Sequence, residues 1–379
     1  ASDVYKRQIY ADESIYEYPM QQGGGNDGRP YSFGRPSSGG SKAAYPCKSY
    51  GQGRINPAYF YGVFDPNDMR RDVSITMTGS NGKGVEKLIP FVPNSKAEGG
   101  GLTLNKWDEN RQANPWVAAQ RKSGINGPYM RMSEVYLGYA EVCAALGDVV
   151  TGKQYLKTVR ERSFPQGLAN TDAFIASFGN DLVRAIIEER GFEYAGEGDR
   201  RWTLIRSGYL PEDIKRIKDM TKAMMDGLAT KGYYEFENGN IISAYIWTKL
   251  VDAKTIYGHR LTAQCPTDKV NDPVLYPGWR GQKDNWEEMG LNYGSSTPAT
   301  NLAIKGLFEI VSEEEAASLE SQGYTKVNWG IDLVDNRDEY DKYLFWDYDY
   351  VSAPIYLWPF TPNVMAAGGF TNGYGFKQE

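Results

Sequence analysis

Apolar positions recur at helical spacing mainly in the middle of the chain. Met132, Val135, Tyr136, Tyr139, Ala140, Cys143 and Leu146 fall at the i, i+3, i+4, i+7 spacing of one amphipathic helix, and Gly147 suits the left-handed residue that ends it. Tyr155, Leu156 and Val159 predict a second helix. Phe174, Phe178, Leu182 and Ile186, each four residues on, predict a third, and Trp202 and Ile205 mark a fourth. The first connection is short, so neighbouring helices are expected to pack antiparallel.

The flanks read differently. Residues 9–125 hold clusters of Gly, Pro, Ser and Asn at 21–42 and 94–101, the composition of turns and loops. The alternation Val73–Ile75–Met77 predicts a short strand there. Beyond residue 208 the pattern predicts helices near 211–227 and 298–311, with polar, aromatic loops at 270–297 and in the tail. The fold class expected is mainly α, a tetratricopeptide-like helical scaffold with long loops and minor strands. It divides into a loop-rich ligand-facing part (9–125), the helices (126–210) and a mixed C-terminal part (211–379). The opening ASDVYKRQ (1–8) fits no pattern that follows and is read as a non-native leader on an incomplete reading frame.

Composition narrows the chemistry. Lys+Arg is 42 against Asp+Glu 48, so the net charge is −6, without the basic stripe that nucleic-acid binding requires. Cys47, Cys143 and Cys265 lie far apart with no CxxC, and His259 is alone, so neither a zinc site nor an imidazole relay is expected. DPNDM (65–69) and DYDY (347–350) cluster oxygens without calcium-loop spacing. No phosphate loop, HExxH or GxSxG is present, and no cofactor is expected. Tyr 28 and Trp 9 bring the aromatic share to 13%, and rings with a flat apolar face and a polar edge suit sugar stacking as well as loop packing.

Several ordered segments resemble one family. RMSEVYLGYAEVCAALGD (131–148) followed by VRERSF (159–164) is similar to a Tyr-Ala-Glu helix and the Val-Arg-x-Arg end of the next helix in the RagB/SusD family of nutrient-binding outer-membrane lipoproteins. IIEERGFEYAGEGDRRWTLIRSG (186–208) resembles its Glu-Arg-x-x-Glu-(Phe/Tyr)-x-Gly-Glu-Gly-x-Arg signature. LWPFTPNVM (357–365) is similar to its closing segment, with Phe-Thr-Pro where Ile-Pro is usual. Gly373–Tyr374 resembles its last motif, and FDPNDMRRD (64–72) its Asp-Pro-Arg element. The family's N-terminal helical region and lipidated Cys have no counterpart in the sequence.

The resemblance implies a function. It is non-catalytic binding of a glycan at the cell surface of the outer membrane and delivery to a SusC-like TonB-dependent barrel, with membrane attachment only through a lipid anchor outside this chain. Relatives take aromatic ligand contacts from the loop before the Tyr-Ala-Glu helix, which here points to Trp107, Asp108, Asn110, Arg111 and Trp116. Tyr276, Trp279, Arg280, Asn285 and Trp286 offer the same chemistry in a second loop. Glu188, Glu189, Arg190, Glu193, Glu197, Arg200 and Arg201 are read as a structural ion-pair network, joined by Arg131, Glu134 and Glu141, rather than as an acid–base pair. Alternatives are a peptide-binding RagB-like uptake protein, a glycoside hydrolase with two facing carboxylates, and a helical adaptor.

Overall fold

The computed structural model describes residues 13–21, 55–80, 86–89, 91, 102–104, 106–107, 124–164, 167–252, 300–338, 356–357, 360–369 and 371–372. In chain order the first part contains β1 (Ser14–Tyr18), α1 (Pro57–Gly62), α2 (Met69–Ser74), β2 (Ile75–Thr76), β3 (Thr78–Ser80), β4 (Glu86–Leu88), β5 (Thr103–Leu104) and β6 (Gly127–Arg131). The helical middle follows with α3 (Met132–Ala145), α4 (Val149–Glu161), α5 (Thr171–Ala176), α6 (Leu182–Glu193), α7 (Asp199–Ser207) and α8 (Leu210–Lys231). The last part adds β7 (Tyr233–Glu235), β8 (Ile241–Ser243), β9 (Tyr245–Asp252), β10 (Thr300–Lys305), α9 (Glu313–Ser321), β11 (Thr325–Asn328), α10 (Gly330–Asp335) and α11 (Pro362–Gly368).

The helices start where side chains satisfy free N–H groups. Asp148, Asn170 and Asp181 cap α4, α5 and α6, accepting from Thr151, Ala173 and Arg184. Gly147 closes the turn after α3 at φ 88°. Packing of α3 with α4 and α6 buries Leu137, Ala140, Leu156, Val159, Ala185 and Ile186. The larger core gathers Phe60, Tyr61 and Phe64 around α1, Met224, Met225 and Leu228 of α8, and Ile246, Leu302 and Ile304 from the strands.

Four expectations need correction. The stripe drawn on α3 is rotated: Ser133, Leu137, Ala140 and Cys143 are buried, while Val135, Tyr139 and Leu146 are exposed. This helix is apolar on both sides, so its periodicity does not choose a face; the hydrogen bond from Tyr194 to Ser133 (3.1 Å) and the ion pairs of Arg131 do. The predicted helix over Phe174–Ile186 is two, broken at Gly179 and Asn180, both at φ 65°. The segment expected as a helix at 298–311 contains β10, which pairs antiparallel with β9. Val73 lies in the last turn of α2, and only Ile75 of the predicted alternation is in a strand, paired with Leu104. The helix expected at 211–227 forms as α8.

Antiparallel pairing accounts for all five small sheets of the described residues. In the widest, β9 lies between β10 and β11, and its Ile246 side turns to the core. No helix among the described residues is long and apolar enough to cross a membrane.

Candidate functional site

The charged signature lies along α6, and its geometry decides what it can do. Glu189 accepts from Arg70 at 2.6 Å and Arg160 at 3.0 Å. Glu193 binds Arg70, Arg131 and Arg162, and Glu197 binds Arg131 and Lys106. Glu188 accepts from Arg200 at 2.8 Å and Arg216 at 2.9 Å. Arg190 donates to Glu134 at 2.8 Å, Asp199 at 2.6 Å and Thr203 at 3.2 Å. Gly191 makes room for this web: a Cβ there would lie 2.8 Å from the Arg200 guanidinium. Arg201 belongs to the same helix, α7, as Arg200 and is half-buried.

Burial alone would push the carboxyls of Glu188, Glu193 and Glu197 up. The guanidinium groups around them, with Lys106 beside Glu197, more than offset it and hold all three below the ordinary carboxylate range, Glu193 well below. Such groups stay ionised and only accept. A general acid needs the opposite shift, and these carboxylates are instead engaged in tying the helices together. The DPNDM oxygens are engaged likewise: Asp65 accepts from the Asn67 amide at 2.8 Å, and Asp68 caps α2 and clasps Arg70 at 2.7 Å. Among the described residues no His, Cys, Asp and Glu group is arranged to hold a metal.

Of the aromatic positions predicted to touch ligand, the structure describes Trp107. It is buried, 3% exposed, packs with Ile125, and its Nε1 donates to the Gly196 carbonyl at 3.0 Å. That is a packing role, which corrects its expected place on a platform: the ring is consumed closing the turn that carries Glu197. Asp108, Asn110, Arg111, Trp116, Tyr276, Trp279, Arg280, Asn285 and Trp286 lie outside the described residues.

An exposed aromatic surface exists elsewhere. β1 and β6 form a two-stranded ribbon whose register slips beside Tyr16. Tyr16, Tyr18 and Tyr129 are all more than half exposed, and the Tyr16 and Tyr129 rings meet edge to face at 5.7 Å. The ribbon is held from below. Asn126 donates to Glu17 at 2.7 Å and accepts from the Met20 amide, while Glu13 pairs with Arg131 and Arg162. The arginine web thus fixes the base of the tyrosines. Sequence reading missed them, although the alternation in SIYEY was a visible signal. A second feature is an open cleft of about 550 Å³ between α4 and α5, lined by Val149, Ile175 and Leu182 together with Lys153, Asn170, Asp172 and Asn180. It holds no aromatic ring.

Buried arginines and glutamates thus knit the helical scaffold, and exposed tyrosines are carried at its edge. The chain belongs to the SusD family, whose model matches residues 5–277. It is similar to the SusD-like protein P25 of Formosa agariphila, 28% identical over 160 residues, covering 42% of this chain and 26% of that protein. Among solved structures it resembles a SusD homolog from Bacteroides thetaiotaomicron, at TM-score 0.42 and 19% identity over 59% of this chain and 47% of the other. It also resembles the surface glycan-binding protein A of that organism, solved with laminarihexaose, at TM-score 0.37 and 18% identity, with 56% and 46% covered. The chain therefore spans about a quarter of the curated relative and about half of the solved ones.

Proposed function

We propose that this protein captures an oligosaccharide at the bacterial outer membrane and passes it, uncleaved, to a SusC-like TonB-dependent barrel. Membership of the SusD family over residues 5–277 is the observation that carries this reading. The chemistry on the page is compatible with it. A pyranose ring offers an apolar C–H face, and exposed tyrosines on a rigid base offer the complementary surface. The guanidinium-saturated carboxylates of α6 offer no acid–base pair for hydrolysis. Attachment by a lipid anchor, and ligand contacts from Asp108, Asn110, Arg111, Trp116 and the 276–286 loop, belong to the same proposal.

The test is retention on a panel of immobilised glycans, followed by prolonged incubation and analysis of the soluble sugars. At least one glycan is expected to be held and recovered intact. Tyr16→Ala with Tyr129→Ala is expected to weaken that binding by about ten-fold, the loss of about one stacking contact. Retention of peptides with no glycan would favour the peptide-uptake alternative, and release of shortened sugars would establish a hydrolase.

A further inference from the structure

Two Asn–Gly pairs lie wholly among the described residues, Asn126–Gly127 at the start of β6 and Asn238–Gly239 in the turn between β7 and β8. Such a pair carries a chemistry of its own, because glycine has no Cβ to shield its backbone nitrogen. Where the backbone is free to turn, that nitrogen gives its proton to hydroxide and attacks the Cγ of the asparagine before it. The new N–Cγ bond closes a succinimide ring, and the side-chain nitrogen takes up a proton and leaves as ammonia. Water then opens the ring at either carbonyl, leaving aspartate or isoaspartate.

Asn238 is locked against this reaction. Its Nδ2 donates to the carbonyls of Tyr61 and Phe64, each at 2.8 Å, and its Oδ1 accepts from the Asn240 amide at 3.1 Å. The attacking group is engaged too, since the Gly239 N–H donates to the Phe236 carbonyl at 2.9 Å. Tyr61, Phe64 and Phe236 belong to the larger core, so freeing this turn means opening that core.

Asn126 is held by less. Its Nδ2 donates to Glu17 at 2.7 Å and its Oδ1 accepts from the Met20 amide at 2.9 Å, so both partners lie on β1 or just past it. β1 pairs only with β6, its register is broken on both sides of Tyr16, and Ile15, Tyr16 and Tyr18 are exposed. A two-stranded ribbon is marginal on its own, so this one opens well before the core does. Whenever β1 lifts, the Asn126 amide loses both partners and Gly127 loses Tyr18, the residue it pairs with.

We infer that Asn126 is a deamidation site and that its conversion unfastens the tyrosine ribbon. Neither product fits its place. An aspartate sets a second carboxylate where the amide donated to Glu17, which is 9% exposed and has little water to screen the repulsion. An isoaspartate adds a methylene to the backbone just ahead of β6 and displaces the pairing of Gly127 with Tyr18 and of Pro128 with Glu17. Either way Tyr16, Tyr18 and Tyr129 lose their fixed base. The modification follows from the ribbon alone; only its cost to glycan binding rests on the capture reading.

The experiment ages the full chain in mildly alkaline buffer, with and without denaturant, and follows amide-to-acid conversion by peptide mass spectrometry. Without denaturant Asn126 is expected to convert about ten-fold faster than Asn238, and in denaturant the two should convert at similar rates. Asn126→Asp, made directly, should be cut by chymotrypsin after Tyr16 and Tyr18 several-fold faster than wild type, and should lose retained glycan as Tyr16→Ala with Tyr129→Ala does. Should that variant not fold, aged wild type supplies the same cleavage comparison. Asn126 converting no faster than Asn238 in the folded chain, or a converted ribbon as resistant to chymotrypsin as the fresh one, would overturn the inference. Fresh wild type that retains no glycan would end the capture reading, while mapping and cleavage still decide the modification.

Discussion

At the scale of single residues, the consequential group is Glu193. Its carboxylate is fully enclosed and shared among Arg70, Arg131 and Arg162, which come from α2, the end of β6 and the end of α4. Replacing it leaves three guanidinium groups short of an anion at the junction of three elements, and an uncompensated buried charge is among the costliest defects a fold can carry. Glu193→Gln is expected to lower stability by about 3 kcal/mol, measured by denaturant unfolding. Arg190→Met is expected to do the same by uncoupling α6 from Glu134 and Asp199. Glycan affinity per folded molecule should stay at the wild-type level for Arg190→Met, because its partners Glu134 and Asp199 lie on α3 and α7 and not under the exposed tyrosines. A selective loss of affinity at unchanged stability would move the web from scaffold to site. The opposed charges of this motif were legible in the sequence because seven of them at helical spacing have little choice but to pair. Trp107 was not: a tryptophan in a polar, Gly-rich stretch reads as a platform, and only the carbonyl of Gly196 shows that its N–H is spent inward.

At the scale of elements, legibility followed the range of the interactions. Helices α3, α4, α7 and α8 announce themselves through local period and caps. The break between α5 and α6 depends on Asn180 accepting a left-handed backbone, which a four-residue apolar period hides. β10 was misread because its partner strand ends nearly fifty residues earlier, at Asp252, and no local pattern reports such pairing. The face of α3 was misread because Val135, Tyr139, Val142 and Leu146 make a second apolar stripe, now exposed. An apolar stripe of this length in water favours self-association. Val142→Lys with Leu146→Lys is therefore expected to reduce association in sedimentation velocity while leaving the thermal midpoint of the dilute chain within about 2 °C, since surface changes of this kind cost at most about 0.5 kcal/mol. A large fall in the midpoint would mean that the stripe packs within the chain.

Across the whole molecule, the web sets the response to acid. Glu13, Glu188, Glu193 and Glu197 all ionise more readily in the fold than the ordinary value of 4.5, because nearby cations outweigh their burial. A carboxyl whose pKa is depressed by folding contributes stability that is complete above its unfolded pKa and is lost as pH falls through its folded one. The unfolded chain takes up these protons first, so the contribution drains from about pH 4.5 downward. The basic partners Arg190 and Arg200 are raised further above an already high range and stay charged throughout, so they add no pH dependence near neutrality. The free energy of unfolding is thus expected to be nearly flat from pH 7 to about pH 5 and to fall steeply below about pH 4.5, with more than one proton taken up per molecule unfolding, as the slope of stability against pH reports. In Glu193→Gln that slope should shrink, because one depressed carboxyl is gone, even though the starting stability is lower. An unchanged slope in that variant would show that other groups govern acid unfolding and that the α6 web, although buried, is not what the protein loses first.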